Sequence, residues 1–139
     1  NKIEFCFTSY SIINKKNTIV KFIKAKKNID YEDLVKSCDI GLSTVMLKTR
    51  LLKKIKFTKI KTKEDYLLWI KLSKKNIKML GINETLTSWR QTNNSLSSSI
   101  TQKLKDAFLI YNHHLKFNFF KSLIFVFLLS IKSLTKKYL

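Results

Sequence analysis

Short apolar runs separated by polar turns fill most of the chain, and two longer helical segments end it. Residues 3–13 are rich in β-branched and aromatic side chains, which indicates a strand, and the polar turn 14–17 leads into a second apolar run at 18–23. These two runs predict a hairpin. The remaining segments are predicted as a mostly buried strand at 40–48, helices at 30–37, 49–55, 62–75, 100–115 and 117–137, and a mixture of strand and turn at 77–90.

Boundary signals support some of these elements. Asp30 is placed to cap the first helix, because an aspartate side chain accepts hydrogen bonds from first-turn amides. Glu32 and Asp33 follow in that turn, where the helix dipole favours acids. Gly81 and Asn83 interrupt the segment 77–90 and predict a break there.

The order of the predicted elements indicates the fold class. Strands with interspersed helices, followed by a helical tail, favour a layered α/β fold. The predicted sheet is too small for a complete doubly wound domain. We therefore predict an α/β unit over 1–99, ending in the polar loop 91–99, and a separate basic helical tail over 100–139.

The charge of the chain is extreme but poor in arginine. The net charge is +19, and Arg50 and Arg90 are the two arginines among 28 basic residues. Such a charge attracts anions, whether nucleic acid, acidic lipid or nucleotide-sugar. Specific nucleic-acid readers add arginines for bidentate base contacts and a motif that enters a groove. Neither is present, so we predict a solvated lysine surface and no nucleic-acid partner. Cys6 and Cys38 form no C-x-x-C pair and indicate a reduced, cytosolic protein.

The helix predicted at 62–75 carries two adjacent acids with different surroundings. At about 100° per residue, Asp65 shares its face with Trp69 and Leu72, whereas Glu64 falls beside Lys71 on the polar strip. An inward carboxylate at a helix start has the orientation and partial desolvation that a general base requires. The alternative is structural, because Thr62 and Asp65 match the S/T-x-x-D/E capping pattern, in which the acid binds an N-terminal amide.

A second polar segment contains Arg90 and the serine-rich loop behind it. A guanidinium binds a phosphate or carboxylate in a planar, bidentate manner that lysine does not reproduce. A structural ion pair between Arg90 and Glu84 is an alternative that the sequence supports equally well. Ser95, Ser97 and their neighbours offer hydroxyl donors for a phosphate or a sugar, although such loops are usually solvated connectors.

Taken together, five segments between about Ile3 and Ser99 resemble the C-terminal, acceptor-side part of bacterial family 2 glycosyltransferases with the GT-A, Rossmann-like fold. The similarity is closest to enzymes of cell-wall, teichuronic-acid, capsule or lipopolysaccharide synthesis. The matching segments are FCFTSYSIINKKNTIV, IGLSTVML, KEDYLLWIKL, INETLTSWR and NNSLSSS, in that order.

The resemblance implies an inverting transfer of a sugar from a nucleotide-sugar to a glycan or lipid-linked acceptor at the inner face of the plasma membrane. Asp65 corresponds to the catalytic base, and Glu64 supports it. The resemblance places Ser43, Thr44 and Trp69 near the acceptor, and Arg90, Ser95 and Ser97 near the donor diphosphate.

The same resemblance implies a divalent metal, Mg²⁺ or Mn²⁺, that a D-x-D motif holds on the diphosphate. This chain has no D-x-D, and Asp30-Tyr-Glu-Asp33 has the wrong spacing. His113 and His114 are adjacent and diverge on a helix, so they predict no metal site. The expected ligands lie outside this sequence, and the alternative functions are an inactive truncated remnant or a basic membrane- or nucleic-acid-binding module.

The tail predicts contact with a membrane surface. Its longest run without a charge, 122–131, gives about 15 Å of helix, whereas a bilayer core needs about 30 Å. Lysines flank this run, which suits a helix lying in the interface of an anionic membrane over 116–137. The alternative is a helix packed on the protein's own core.

Overall fold

The computed structural model describes residues 3–92 and 99–138, with side chains to residue 135, and shows a mixed α/β fold built on one five-stranded sheet. A 3₁₀ turn at Leu42–Thr44 and a π-helical turn at Ile110–His114 supplement the regular elements. Those elements are β1 (Phe5–Ile13), β2 (Ile19–Ile23), β3 (Asn28–Ile29), α1 (Tyr31–Lys36), β4 (Val45–Leu47), α2 (Thr49–Lys54), α3 (Glu64–Ser73), β5 (Met79–Arg90), α4 (Ile100–Leu109) and α5 (Phe119–Tyr138).

Strand β1 organises the sheet. It pairs in parallel with β5, from Phe5 opposite Met79 to Ile13 opposite Arg90. On its other side it pairs antiparallel with β4 at its start and with β2 at its end, and β3 extends the sheet beyond β5. The predicted hairpin of β1 and β2 is therefore confirmed. A parallel pair requires a crossover connection, which the helical segment between β1 and β5 provides.

The capped helix and the helical segments are also confirmed. Asp30 accepts a hydrogen bond from the Asp33 amide at 2.8 Å, and Asp33 accepts one in return, which forms a capping box. The helix predicted at 49–55 is present as α2. The helix predicted at 100–115 continues from α4 into the π-helical turn, and the last helix begins at Phe119 rather than at 117.

The buried strand predicted at 40–48 is mostly wrong. The 3₁₀ turn occupies its centre, and within this segment only the three residues of β4 pair with β1. The Thr44 hydroxyl donates to the Gly41 carbonyl at 2.8 Å, and such local side-chain bonds compete with extended backbone. Met46 is 75% exposed because β4 presents it away from the core.

The break predicted in 77–90 is wrong for Gly81 and partly right for Asn83. Strand β5 runs without interruption, but its register against β1 shifts between Ile82 and Thr85, where Asn83 lies, and again before Thr87. Gly81 has another role. A Cβ atom at this position would lie 2.0 Å from the Lys26 carbonyl oxygen, so glycine permits the close approach of two backbones.

Replacing Gly81 should therefore destabilise the fold. We expect Gly81→Ala to lower the free energy of unfolding by about 2 kcal/mol or more, because the contact is with backbone rather than with a flexible side chain. Gly41→Ala is the matched control, since its Cβ would meet Thr44 and Tyr10 side-chain atoms at 3.6 Å, an ordinary contact. Urea unfolding of both variants tests this expectation, and equal midpoints would contradict it.

The helical tail belongs to the same core as the sheet. Ala107, Ile110, Tyr111 and Leu129 are buried together with Phe5 and other residues of the preceding part. The predicted boundary at residue 99 therefore does not separate two cores. The polar loop and the basic helical pattern after it suggested this boundary, and both also occur within a single packed unit.

Candidate functional site

The candidate site lies at the start of α3, whose local structure differs from the predicted capping box. The helix begins at Glu64 with Lys63 as its N-cap residue, and no side chain caps it from that position. Thr62 donates instead to a distant carboxylate on α4. The capping pairing of Thr62 with Asp65 is therefore wrong, because a longer-range acceptor binds the threonine.

Asp65 is half-buried and accepts a hydrogen bond from a first-turn amide. Its Oδ1 lies 2.7 Å from the Tyr66 backbone nitrogen. Burial raises the pKa of the Asp65 carboxyl above its ordinary value, the Tyr66 amide opposes this rise, and the nearby charge of Glu64 adds to it. Asp65 thus binds a first-turn amide, as the structural interpretation expected, but the amide is that of Tyr66 and not that of Thr62. One oxygen satisfies an amide, and the carboxyl group keeps an elevated affinity for a proton.

Asp106 on α4 holds the segment before Asp65, and the sequence reasoning missed it. Asp106 is 5% exposed. Its Oδ2 accepts from the Thr62 backbone nitrogen at 3.0 Å and from the Thr62 hydroxyl at 2.7 Å, and its Oδ1 accepts from Gln102 at 2.9 Å. The available signal was an acid beside Ala107 and one helical turn before Ile110.

Substitution of Asp106 tests this attachment. We expect Asp106→Ala to lower the free energy of unfolding by about 2–3 kcal/mol, because the Thr62 amide and hydroxyl lose a charged acceptor. Asp106→Asn keeps an oxygen acceptor and should cost less. Lys105→Ala, at the exposed neighbouring position, is the control and should change little. If Lys105→Ala lowered the free energy of unfolding as much as Asp106→Ala, the attachment of Thr62 to Asp106 would be refuted.

Hydrogen bonds of two phenol hydroxyls, those of Tyr66 and Tyr111, attach α3 to the end of α1 directly after Asp65. The Tyr66 hydroxyl donates to the Leu34 carbonyl at 2.6 Å, and the Tyr111 hydroxyl donates to the Val35 carbonyl at 2.8 Å. The two hydroxyls lie 2.9 Å apart. They bind two carbonyls at the end of α1, where backbone acceptors begin to lack helical partners. Burial raises the pKa of both phenols, so both stay protonated as donors.

A short loop joins α3 to the sheet. Residues 74–78 connect the end of α3 directly to the start of β5, with Asn76 in the left-handed conformation at φ 60°. The end of α3 therefore lies near the start of β5 and, because Met79 is opposite Phe5, near the start of β1.

Glu64 and Trp69 occupy different environments on α3. Glu64 is partly exposed, and its predicted neighbour Lys71 donates to the Thr58 hydroxyl at 2.8 Å. Trp69 is 1% exposed and packs edge-on against Phe5, with ring centroids 5.0 Å apart. Trp69 thus packs in the core one helical turn behind Asp65, and its place near an acceptor stays a prediction.

Ser43 and Thr44 lie in the 3₁₀ turn beside the sheet. Ser43 is exposed, and its carbonyl oxygen is 3.5 Å from the Thr87 hydroxyl of β5. Thr44 is 7% exposed, and its hydroxyl is already bonded to Gly41. Ser43 is thus the more accessible of the two predicted acceptor residues.

Arg90 ends β5 and is bound to the turn of the hairpin. Its guanidinium donates to the Asn14 carbonyl at 3.3 Å and to the Asn17 side chain. The predicted ion pair with Glu84 does not occur among the described residues, because the hairpin turn provides neutral acceptors. Ser95 and Ser97, which were predicted to bind the donor, lie outside the described residues.

The carboxylates in this chain do not fit a divalent metal. Within 3–92 and 99–138, no group of three His, Cys, Asp or Glu side chains is arranged to hold an ion. Asp30 and Asp33 are occupied in the capping box, and Asp33 also pairs with Lys26 at 2.6 Å. The imidazoles of His113 and His114 lie edge to face, with centroids 5.0 Å apart.

Comparison with known proteins gives three relatives. The chain is 34% identical over 119 residues to TuaG of Bacillus subtilis, a protein assigned to teichuronic acid biosynthesis as a glycosyltransferase. It is 36% identical over 106 residues to WfgD of Escherichia coli, a UDP-Glc:alpha-D-GlcNAc-diphosphoundecaprenol beta-1,3-glucosyltransferase. WfaP of Escherichia coli has the same description and is 33% identical over 103 residues. The chain is a homologue of bacterial glycosyltransferases.

The extent of these matches limits what they establish. They cover 85%, 76% and 74% of this chain but 47%, 41% and 40% of the respective relatives. The chain thus spans about half the length of the curated relatives it matches. No protein-family model matches it. The sequence resemblance to cell-wall and lipopolysaccharide glycosyltransferases is confirmed.

Proposed function

We propose that this chain forms the acceptor-side, C-terminal part of a family 2 glycosyltransferase with the GT-A fold, and that Asp65 is its general base. The observation that carries the proposal is the geometry of Asp65. Its carboxyl is half-buried, accepts a hydrogen bond from the Tyr66 amide in the first turn of α3, and has a raised pKa. The homology to glycosyltransferases supports the assignment.

The proposed reaction is a single displacement. The Asp65 carboxylate removes the proton from an acceptor hydroxyl as the oxygen attacks the anomeric carbon of the donor sugar. The bond from that carbon to the nucleoside diphosphate breaks, and the diphosphate leaves with the bonding electron pair. The elevated proton affinity of Asp65 favours this transfer, because a base with a very low pKa would take the proton poorly. No step passes through a metal held by this chain.

The relatives indicate the class of substrates. Two of them are named for a UDP-glucose donor and a GlcNAc-diphosphoundecaprenol acceptor, with a beta-1,3 linkage in the product. A β-linked product from an α-linked nucleotide-sugar requires inversion, which a single displacement gives. We propose that this chain acts on a nucleotide-sugar and a lipid-linked or other cell-surface glycan precursor at the cytoplasmic side of the membrane.

Other residues take supporting roles in the proposal. Glu64 raises the proton affinity of Asp65 through its charge. Exposed Ser43 lines the acceptor side, and Ser95 and Ser97 belong to a segment that meets the donor diphosphate. Arg90 joins them by releasing its contacts to the hairpin turn. Any Mg²⁺ or Mn²⁺ on that diphosphate would require ligands from outside this chain.

The product of the reaction tests the proposal. The chain is joined to the part of the Bacillus relative that it does not cover and is incubated with labelled UDP-glucose and GlcNAc-diphosphoundecaprenol. We expect a labelled lipid whose new linkage is β. An α linkage would exclude the single displacement. Absence of product from properly folded protein would favour an inactive remnant.

A further inference from the structure

The outer face of α5 carries a continuous apolar ridge. At about 100° per residue, its members lie within about 40° of one line along the helix. The inward side of α5, opposite this ridge, is marked by Ser122 at 0% exposure and Leu129 at 5%. The ridge is formed by exposed Phe120, Ile124, Phe127, Ile131 and Leu134.

The apolar surface continues from the ridge onto α4. A groove of about 500 Å³ separates the two helices, and its walls are almost entirely apolar. Leu104 and Phe108 line it from α4, and Leu123 lines it from α5. The Phe108 ring contacts Phe119 edge-on, with centroids 5.6 Å apart. Large exposed apolar patches of this kind mark interaction surfaces.

We infer that this surface of α4 and α5 lies in the interface of an anionic lipid bilayer, with the ridge among the acyl chains. Charge complementarity favours a bilayer over a protein partner. Lys121 and Lys132 fall about 100–120° from the ridge line, at the level where lipid headgroups would meet them. Lys105 lies in the groove itself, whereas protein–protein interfaces are depleted of lysine.

The packing of α5 sets its orientation on the bilayer. One side of the helix is fixed to the core through Leu129, so only the ridge side is available to lipid, and the helix axis lies parallel to the membrane plane. No helix in the described ranges has the length and apolarity to cross a membrane. The choice of a bilayer rests partly on the proposed function, because a lipid-linked acceptor resides there.

Vesicle binding tests the inference without donor or acceptor. The chain is sedimented with vesicles of phosphatidylcholine alone or mixed with phosphatidylglycerol, at low and high salt. We expect binding to the anionic vesicles that weakens with salt. Phe120→Ser combined with Phe127→Ser should reduce it at least about tenfold, since two aromatic side chains no longer insert. The matched control combines Val20→Ser with Met46→Ser, which removes exposed apolar side chains from the sheet.

Depth of insertion gives a second measurement. Compared with wild type, whose indoles are Trp69 and Trp89, a Phe127→Trp variant should show an additional component of fluorescence that shifts to the blue on anionic vesicles and is quenched by brominated lipid. If the wild-type protein did not bind anionic vesicles, the inference would be overturned. The same holds if the double serine variant binds as wild type, since charge alone would then suffice. If the wild-type chain formed a dimer and did not bind vesicles, and the double serine variant were a monomer, the ridge would be assigned to contact with a second copy of the chain. Asp65→Asn should bind vesicles normally, so failure of transfer and failure of binding are separable.

Discussion

Asp65→Asn should reduce sugar transfer by about 10³-fold in protein that carries a donor-binding half. Asparagine keeps the hydrogen bond from the Tyr66 amide and the shape of the side chain, but it does not accept a proton from the acceptor. The rate is measured with saturating donor, so that a lost base appears in kcat. A residual rate within a few-fold of wild type would remove Asp65 from the mechanism.

Glu64→Gln is the matched control for the adjacent acid. It should retain most of the activity, because Glu64 acts on Asp65 only through its charge. Loss of that charge favours the ionised form of Asp65 and lowers its pKa. The acid limb of the kcat/KM profile should therefore move to lower pH in Glu64→Gln. An unmoved limb together with full activity would show that the two acids are not coupled.

The same Asp65→Asn change should stabilise the fold at neutral pH. Burial raises the folded-state pKa of Asp65 above its unfolded value, so the folded state retains a proton that the unfolded state has lost. Stability therefore falls as pH rises through the window between these two values, and the penalty is complete above it. Asparagine carries no such penalty. Thermal unfolding of wild type and variant at neutral and acidic pH should show a difference that disappears at low pH.

Removal of the tail should abolish folding. A chain ending at Ser99 loses the buried side chains of Ile110, Tyr111 and Leu129, together with Asp106. Each large buried side chain contributes about 2–5 kcal/mol, whereas a whole domain has about 5–15 kcal/mol of net stability. We expect the truncated chain to lack cooperative unfolding and native amide dispersion in NMR spectra.

A shorter truncation provides the control. A chain ending at Ile131 keeps Leu129, the last buried residue among those described, and the described side chains that it loses, at 132–135, are exposed. Its free energy of unfolding should change by less than about 1 kcal/mol. A folded chain ending at Ser99 would restore the interpretation of the tail as a separate unit.

Local signals sufficed for part of this structure. The hairpin of β1 and β2, the Asp30 cap and α2 each depend on residues close together in sequence, and all were predicted correctly. The match of KEDYLLWIKL to glycosyltransferases also needed no structure, and the curated relatives confirmed the family. The inward position of Asp65 followed from helical periodicity alone, and partial burial agrees with it.

Long-range pairing decided the rest. Thr62 and Asp106 are 44 residues apart, and Tyr66 and Tyr111 are 45 apart. No local pattern therefore reveals that residues of the tail bind the chain both before and after Asp65. Gly81 looked like a strand breaker, yet it is required by the approach of Lys26, which only the pairing of distant segments brings there. The sequence by itself determined the helical segments, the hairpin of β1 and β2 and which carboxylate faces inward, because side-chain periodicity and local turn and cap signals encode them. The tertiary structure alone decided which acceptor each buried donor uses and which side of α5 is left exposed, because these depend on competition among partners that only the folded chain brings together.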